Sequence, residues 1–242
     1  MLPTSATLDF KEERFKFSGK TQAPFSNYSL KPSTIRIPTS TTIAVFAPNL
    51  TPLLKKRFLL PQDFDNWLTE NIKAQNGQYL LVLGQELDFA IIFKPQKTID
   101  FSELSKIKTE EPKDSSSNSP YKQETENNLN FHLLKLPQET QETTFTFFEI
   151  GEWVFMTSSF QSAKQLVATQ KGEAPFLNFL DFQKEPLSLA ILIRNTTPQD
   201  SQALALFIKD DQKVKTQFEK IKEAQLIISD KELSGFIDFS KQ

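Results

Sequence analysis

The sequence contains no cysteine, which removes disulfides, thiolate metal sites and cysteine nucleophiles together. Compartment stays open, because an extracytoplasmic bacterial protein can also do without cysteine. Histidine occurs once, at His132. One histidine and no thiolate leave a transition-metal site without its usual donors, and no cofactor is expected. Glycine is scarce, at 6 residues. These read as turns and helix ends, and none forms the Gly-rich loop that cradles phosphate. A formal net charge of −2 gives no reason to expect a nucleic-acid partner. Long hydrophobic runs are missing as well. YLLVL (79–83), FAIIF (89–93) and ALALFI (203–208) fall far short of the ~20 residues that span a bilayer. No segment has the charged start and apolar run of a signal peptide. As written, the chain is expected to be soluble, and a processed form of an anchored protein would read the same way.

What is present is a chain of 242 residues, room for one large domain or two small ones. Residues 1–40 are rich in Ser, Thr and Pro. Within them TLDFKEERFKF suits a short hairpin, with Leu8 and Phe10 on one strand and Phe15 and Phe17 on the other. Pro24, Pro32 and Pro38 then suggest an extended linker. Residues 109–128, TEEPKDSSSNSPYKQETENN, hold one aromatic, no aliphatic residue and many charges, so they are expected to be disordered. The chain is thus divided into an N-terminal segment 1–40, a first half 41–108, the loop 109–128 and a second half 129–242.

Hydrophobic periodicity predicts strands at 42–47, QYLLVL, LDFAIIF, NFHLLKL, TTFTFFEI, EWVFMTS, LSLAILI, AQLIIS and GFIDF. It predicts helices from Asp63 with Phe64, Trp67, Leu68 and Ile72, from Asp100 through Ile107, over 159–171 ending at Gly172, and within 199–223. A short helical piece is expected at Phe176, Phe179 and Leu180. The pattern repeats. IAVFAPNLTP (43–52) aligns with LAILIRNTTP (189–198), 57–73 with 206–222, and YLLVLGQELDFAIIF with AQLIISDKELSGFIDF. The resulting expectation is an α+β fold with an antiparallel or mixed sheet, built from two related β-α-β-β halves at 42–93 and 188–239. Strands such as YLLVL and LAILI, apolar on both faces, call for covering layers on both sides of the sheet. In the repeat, Thr51 and Thr197 suit helix caps, and Pro52 and Pro198 suit first helical turns. Asn49-Leu-Thr and Asn195-Thr-Thr therefore read as turn chemistry before they read as glycosylation acceptors.

The stretch GEWVFMTSSFQSAKQLVA (151–168) raises the sharpest chemical question. A nucleophilic Ser158 or Ser159 needs a base and an oxyanion hole. The single His132 lies in a strand, no Gly-x-Ser-x-Gly elbow is present, and Lys164 has the wrong spacing for a one-turn pair with Ser159. A helix cap needs only a serine before Phe160, Ala163, Leu166 and Val167, which share one face. Ser159 is therefore expected to cap, with Trp153 in the core beneath the helix. Asp63-Phe-Asp65 has the form of a short metal motif but also begins a helix, where Asp63 would cap and Asp65 would meet the positive end of the dipole. Glu110-Glu111, Asp210-Asp211 and Lys55-Lys56-Arg57 are expected to be solvated. No catalytic, cofactor or metal residue is assigned.

The same stretch resembles the signature segment of a bacterial domain-of-unknown-function family, thirty-three fifty-two. The residues that carry the likeness are Trp153, Val154, Thr157, Ser158, Ser159, Ala163 and Lys164, followed by Phe176 to Phe179 and LSLAILI. The resemblance implies an exported or membrane-anchored setting and no assigned activity. The functional expectation is a non-catalytic binding or scaffold module for a protein or envelope polymer. The alternative is a hydrolase whose Asp/Glu pair meets only in three dimensions.

Overall fold

The computed structural model describes residues 5–11, 14–20, 35–47, 60–72, 74–84, 89–107, 120–137, 142–177, 187–195, 220–229 and 232–239. Its strands are β1 (Ser5–Lys11), β2 (Arg14–Lys20), β3 (Ile37–Pro38), β4 (Thr41–Ala47), β5 (Ala74–Gly84), β6 (Phe89–Pro95), β7 (Tyr121–Glu126), β8 (Leu129–Pro137), β9 (Glu142–Ile150), β10 (Trp153–Thr157), β11 (Phe176–Leu177), β12 (Leu187–Arg194), β13 (Ile221–Ser229) and β14 (Glu232–Phe239). The helices are α1 (Gln62–Asn71), α2 (Phe160–Lys171) and a 3-10 helix (Phe101–Lys106).

Twelve strands join one sheet in the order β1-β2-β14-β13-β12-β4-β5-β6-β10-β9-β8-β7, and β3 pairs with β11 in a separate ribbon. Every pairing is antiparallel. This corrects the α+β class. The protein is mostly β, and among the described residues two α-helices and one 3-10 helix serve a continuous sheet where two balanced β-α-β-β halves were expected. Strands β4-β5-β6 and β12-β13-β14 do lie side by side, but residues 196–219, where the second set of helices was expected, lie outside the described residues.

Alternation along the strands divides the core into two layers. Ile43, Leu81, Leu83, Ile91, Phe93, Val154, Met156, Phe145 and Phe147 face one side, where Phe64, Trp67 and Leu68 of α1 and Phe101 and Leu104 of the 3-10 helix cover them. Ala44, Phe46, Leu80, Val82, Ala90, Ile92, Phe148 and Phe155 face the other, packed with Ala163, Leu166 and Val167 of α2, with Ile37 of β3 and with Ile35 just before it. The strands between the helices are therefore apolar on both faces, and burying both offsets the entropy of ordering them.

Several local expectations change. Residues 121–126, placed in a disordered loop, form β7; an Asn127–Asn128 turn with φ of 52° and 62° returns the chain into β8. Such a two-residue turn with both φ positive matches strand twist, and Asn tolerates it. Phe176 is in strand β11, not a helix, and 221–223 belong to β13. Pro38 lies in β3, while Pro24 and Pro32 lie outside the described residues. Glycines 19, 77 and 235 stand inside strands, not at turns and helix ends, and Gly84 is the last residue of β5. The strongest case is Gly235 in β14. A Cβ there would stand 2.2 Å from the Gln225 carbonyl oxygen and 2.5 Å from the Phe17 ring, so the ring of its cross-strand partner occupies the missing side chain's place.

Candidate functional site

Helix α2 answers the serine question. Ser159 is extended, with φ −153° and ψ 156°, and its hydroxyl accepts from the Ser162 amide at 3.1 Å. This is an N-cap, satisfying a donor that the first helical turn leaves open. Ser158 is occupied elsewhere. Its Oγ accepts from the Phe89 amide, and its own amide donates to the Phe89 carbonyl, both at 3.1 Å, so it continues the β10–β6 ladder. Thr157 donates to the Ser159 carbonyl at 2.8 Å. At the far end Gly172, with φ 79°, closes the helix, and the Glu173 amide reaches back to the Ala168 carbonyl at 2.9 Å. The Gln170 side chain bonds both backbone groups of Arg36, holding the β3 segment to α2. Lys164 pairs with Glu126 at 2.7 Å and lies over the Phe160 ring. Trp153 is half-buried and packs on the α2 side.

His132 is on the opposite face. It lies in β8, and its ring stacks on Phe101 of the 3-10 helix at 4.6 Å and near Tyr121 of β7 at 6.1 Å. The Tyr121 hydroxyl and His132 Nδ1 share a hydrogen bond of 2.8 Å. Burial lowers the His132 pKa, so the ring is neutral at pH 7. Burial raises the Tyr121 pKa, and the Asp100 carboxylate adds to the rise, so the phenol keeps its proton. Asp100 caps the 3-10 helix and accepts from the Ser102 amide and hydroxyl, bonds that lower its own pKa. Behind Phe101 lies Trp67, whose buried Nε1 has no hydrogen-bond partner among the described residues. His132 thus shares its hydrogen bond with Tyr121, while Ser158 bonds Phe89 and Ser159 bonds Ser162, and among the described residues a serine–histidine dyad is not assembled.

The remaining sequence candidates sort plainly. Asp63 does not cap α1. Pro61 holds the cap position without a side-chain bond, and Asp63 and Asp65 lie in the first turn, where they favour the helix dipole. Among the described residues no group of three or more His, Asp or Glu is gathered for a metal ion. Asn195 follows β12, its amide donating to the Lys222 carbonyl at 2.8 Å. Asn49, Thr51, Pro52, Lys55, Lys56, Arg57, Glu110, Glu111, Thr197, Pro198, Asp210 and Asp211 lie outside the described residues.

The feature that sequence reasoning missed is β7 itself. Among the described strands it ends the sheet beyond β8, and its register runs from Tyr121↔Leu134 to Glu126↔Leu129 without a bulge. Lys122, Gln123 and Thr125 are exposed. The strand is braced on one face by the Tyr121–His132 bond and on the other by the Lys164–Glu126 pair. No helix among the described residues is long and apolar enough to cross a membrane. No family model matches the chain, and no curated protein and no solved structure matches it either.

Proposed function

We propose that the protein is a non-catalytic binding or scaffold module that recognises an extended protein segment along edge strand β7. The observation that carries this reading is the regular, braced and bulge-free edge with exposed Lys122, Gln123 and Thr125. An edge of this kind offers backbone donors and acceptors to an added strand, with alternate side chains supplying selectivity. The resemblance carried by Trp153 to Lys164 adds the bacterial envelope as the setting, and that too is part of the proposal.

The test is a screen of extended peptides against the full chain and against Gln123→Pro, which removes an outward amide. Peptides held by the parent and lost by the variant are the expected result. If no bound peptide distinguishes the two, the edge reading fails. Turnover of a glycosidic, ester or peptide substrate, abolished by one Asp or Glu substitution, would put the hydrolase alternative in its place.

A further inference from the structure

Backbone geometry says which groups β7 turns outward. The Lys135 amide donates to the Pro120 carbonyl at 2.8 Å, extending the β7–β8 register by one pair. Antiparallel pairs alternate between positions that exchange hydrogen bonds and positions that do not. Residues 120, 122, 124 and 126 therefore spend their backbone groups on β8, and Gln123 and Thr125 direct theirs to the outer edge. Neither of these outward groups has a partner among the described residues. Side chains alternate as well. Lys122 and Glu124 share the face of Leu133 and Phe131, and Gln123 shares the face of His132.

We propose that β7 pairs antiparallel with β7 of a second copy of this chain, with Gln123 on the two-fold axis. This deepens the edge-binding reading and rests on it. Outward positions must face outward positions, and the two-folds that match more than one of positions 121, 123 and 125 fall at residue 122, 123 or 124. With the axis at Lys122, two lysines face one another; with the axis at Glu124, two glutamates do. Like charges directly opposite destabilise a strand pair. With the axis at Gln123, Lys122 faces Glu124 of the second copy, and Glu124 faces its Lys122. Each lysine already pairs with Glu124 of its own strand at 2.7 Å, so association builds a four-charge cluster of alternating sign. Gln123 exchanges two backbone bonds with its symmetry mate. Pro120 falls opposite Glu126 at a position that needs no outward amide, so its missing N–H costs nothing.

Charged residues on an edge strand commonly repel a neighbour. Here the same charges repel two of the three registers and match the third, so they select one pairing. The contact uses the same patch on both copies, so it closes at a dimer.

Sedimentation velocity across a concentration series, with engineered cysteines, tests the pairing. The native chain should dimerise, and Gln123→Pro should be monomeric. Lys122→Glu and Glu124→Lys should each weaken the dimer by about tenfold. Mixing these two variants should restore it, because their charges are complementary only between chains. The chain has no cysteine of its own, so a crosslink reports the introduced residue alone. Gln123→Cys should oxidise to a disulfide dimer, since a hydrogen-bonded pair sets Cα atoms about 5.5 Å apart. Thr125→Cys should not. If Gln123→Pro fails to fold, the charge and cysteine variants carry the test without it. A monomer at all concentrations, or Thr125→Cys crosslinking as well as Gln123→Cys, overturns the proposal. Edge-dependent peptide binding by a chain that stays monomeric would reject self-pairing and keep the edge reading.

Discussion

The hairpins β5–β6 and β13–β14 read alike, as YLLVLGQELDFAIIF and AQLIISDKELSGFIDF, and each lies one strand beyond a central neighbour, β4 or β12. Their surroundings differ. Leu80, Leu83, Ile91, Ile92 and Phe93 are fully buried, whereas residues 223–228 of β13 and 233–238 of β14 are half-buried on both faces. Among the described residues the difference follows the helices. Helix α1 and the 3-10 helix pack in one cluster with one face of β5–β6, and α2 together with Ile35 and Ile37 packs in one cluster with the other. Side-chain pattern made both segments strands; among the described residues, the one that becomes core is the one the helices pack against.

The largest expected effect follows from that difference. Phe93→Ala should cost about 3–5 kcal/mol, and Phe236→Ala, half-buried in β14, should cost clearly less by urea denaturation. Equal losses would break the comparison. Next come two strand glycines. Gly235→Ala forces a methyl into the Gln225 carbonyl and the Phe17 ring and should cost about 1–3 kcal/mol. Gly84→Ala meets only the Ser40 carbonyl at 3.7 Å and should be tolerated, so here the better-buried hairpin is the more forgiving one. A smaller effect concerns the helix over the buried hairpin. Ser159→Ala should cost about 1 kcal/mol, and Ser159→Asp should hold the cap. A Ser159→Ala protein of unchanged stability would remove the cap from the account.

The smallest effect is a pH dependence. His132 has a folded pKa below its unfolded value near 6.5. The unfolded chain therefore takes up the proton first as pH falls. The stabilising contribution is complete above about pH 6.5 and is lost as pH falls through the folded pKa. His132→Phe should flatten stability against pH in this window, and an unchanged slope would contradict the assignment.

What could be read from the sequence was local. Ser159 and Gly172 bound α2 because capping depends on a few neighbouring residues. The apolar strands β4, β5, β6, β10 and β12 showed themselves by composition. Strand β7 did not, because YKQETE at an edge needs no apolar face of its own and looks like a solvated loop. Its available signal was Asn127–Asn128, a turn pair between alternating segments. The requirement at Gly235 could not be read locally, since the atoms that need its bare Cα come from β2 and β13. Fold class failed for a related reason. The two α-helices and the 3-10 helix of the described residues look like half of an α+β pattern until their long strands are found to share one sheet.

Native-state hydrogen exchange, resolved by hairpin, tests the central difference most directly. Amides of β5–β6 should exchange only through global unfolding, and those of β13–β14 should open at a lower free energy, with faster exchange under the same conditions. Equal protection in the two hairpins, or slower exchange in β13–β14, would contradict the account.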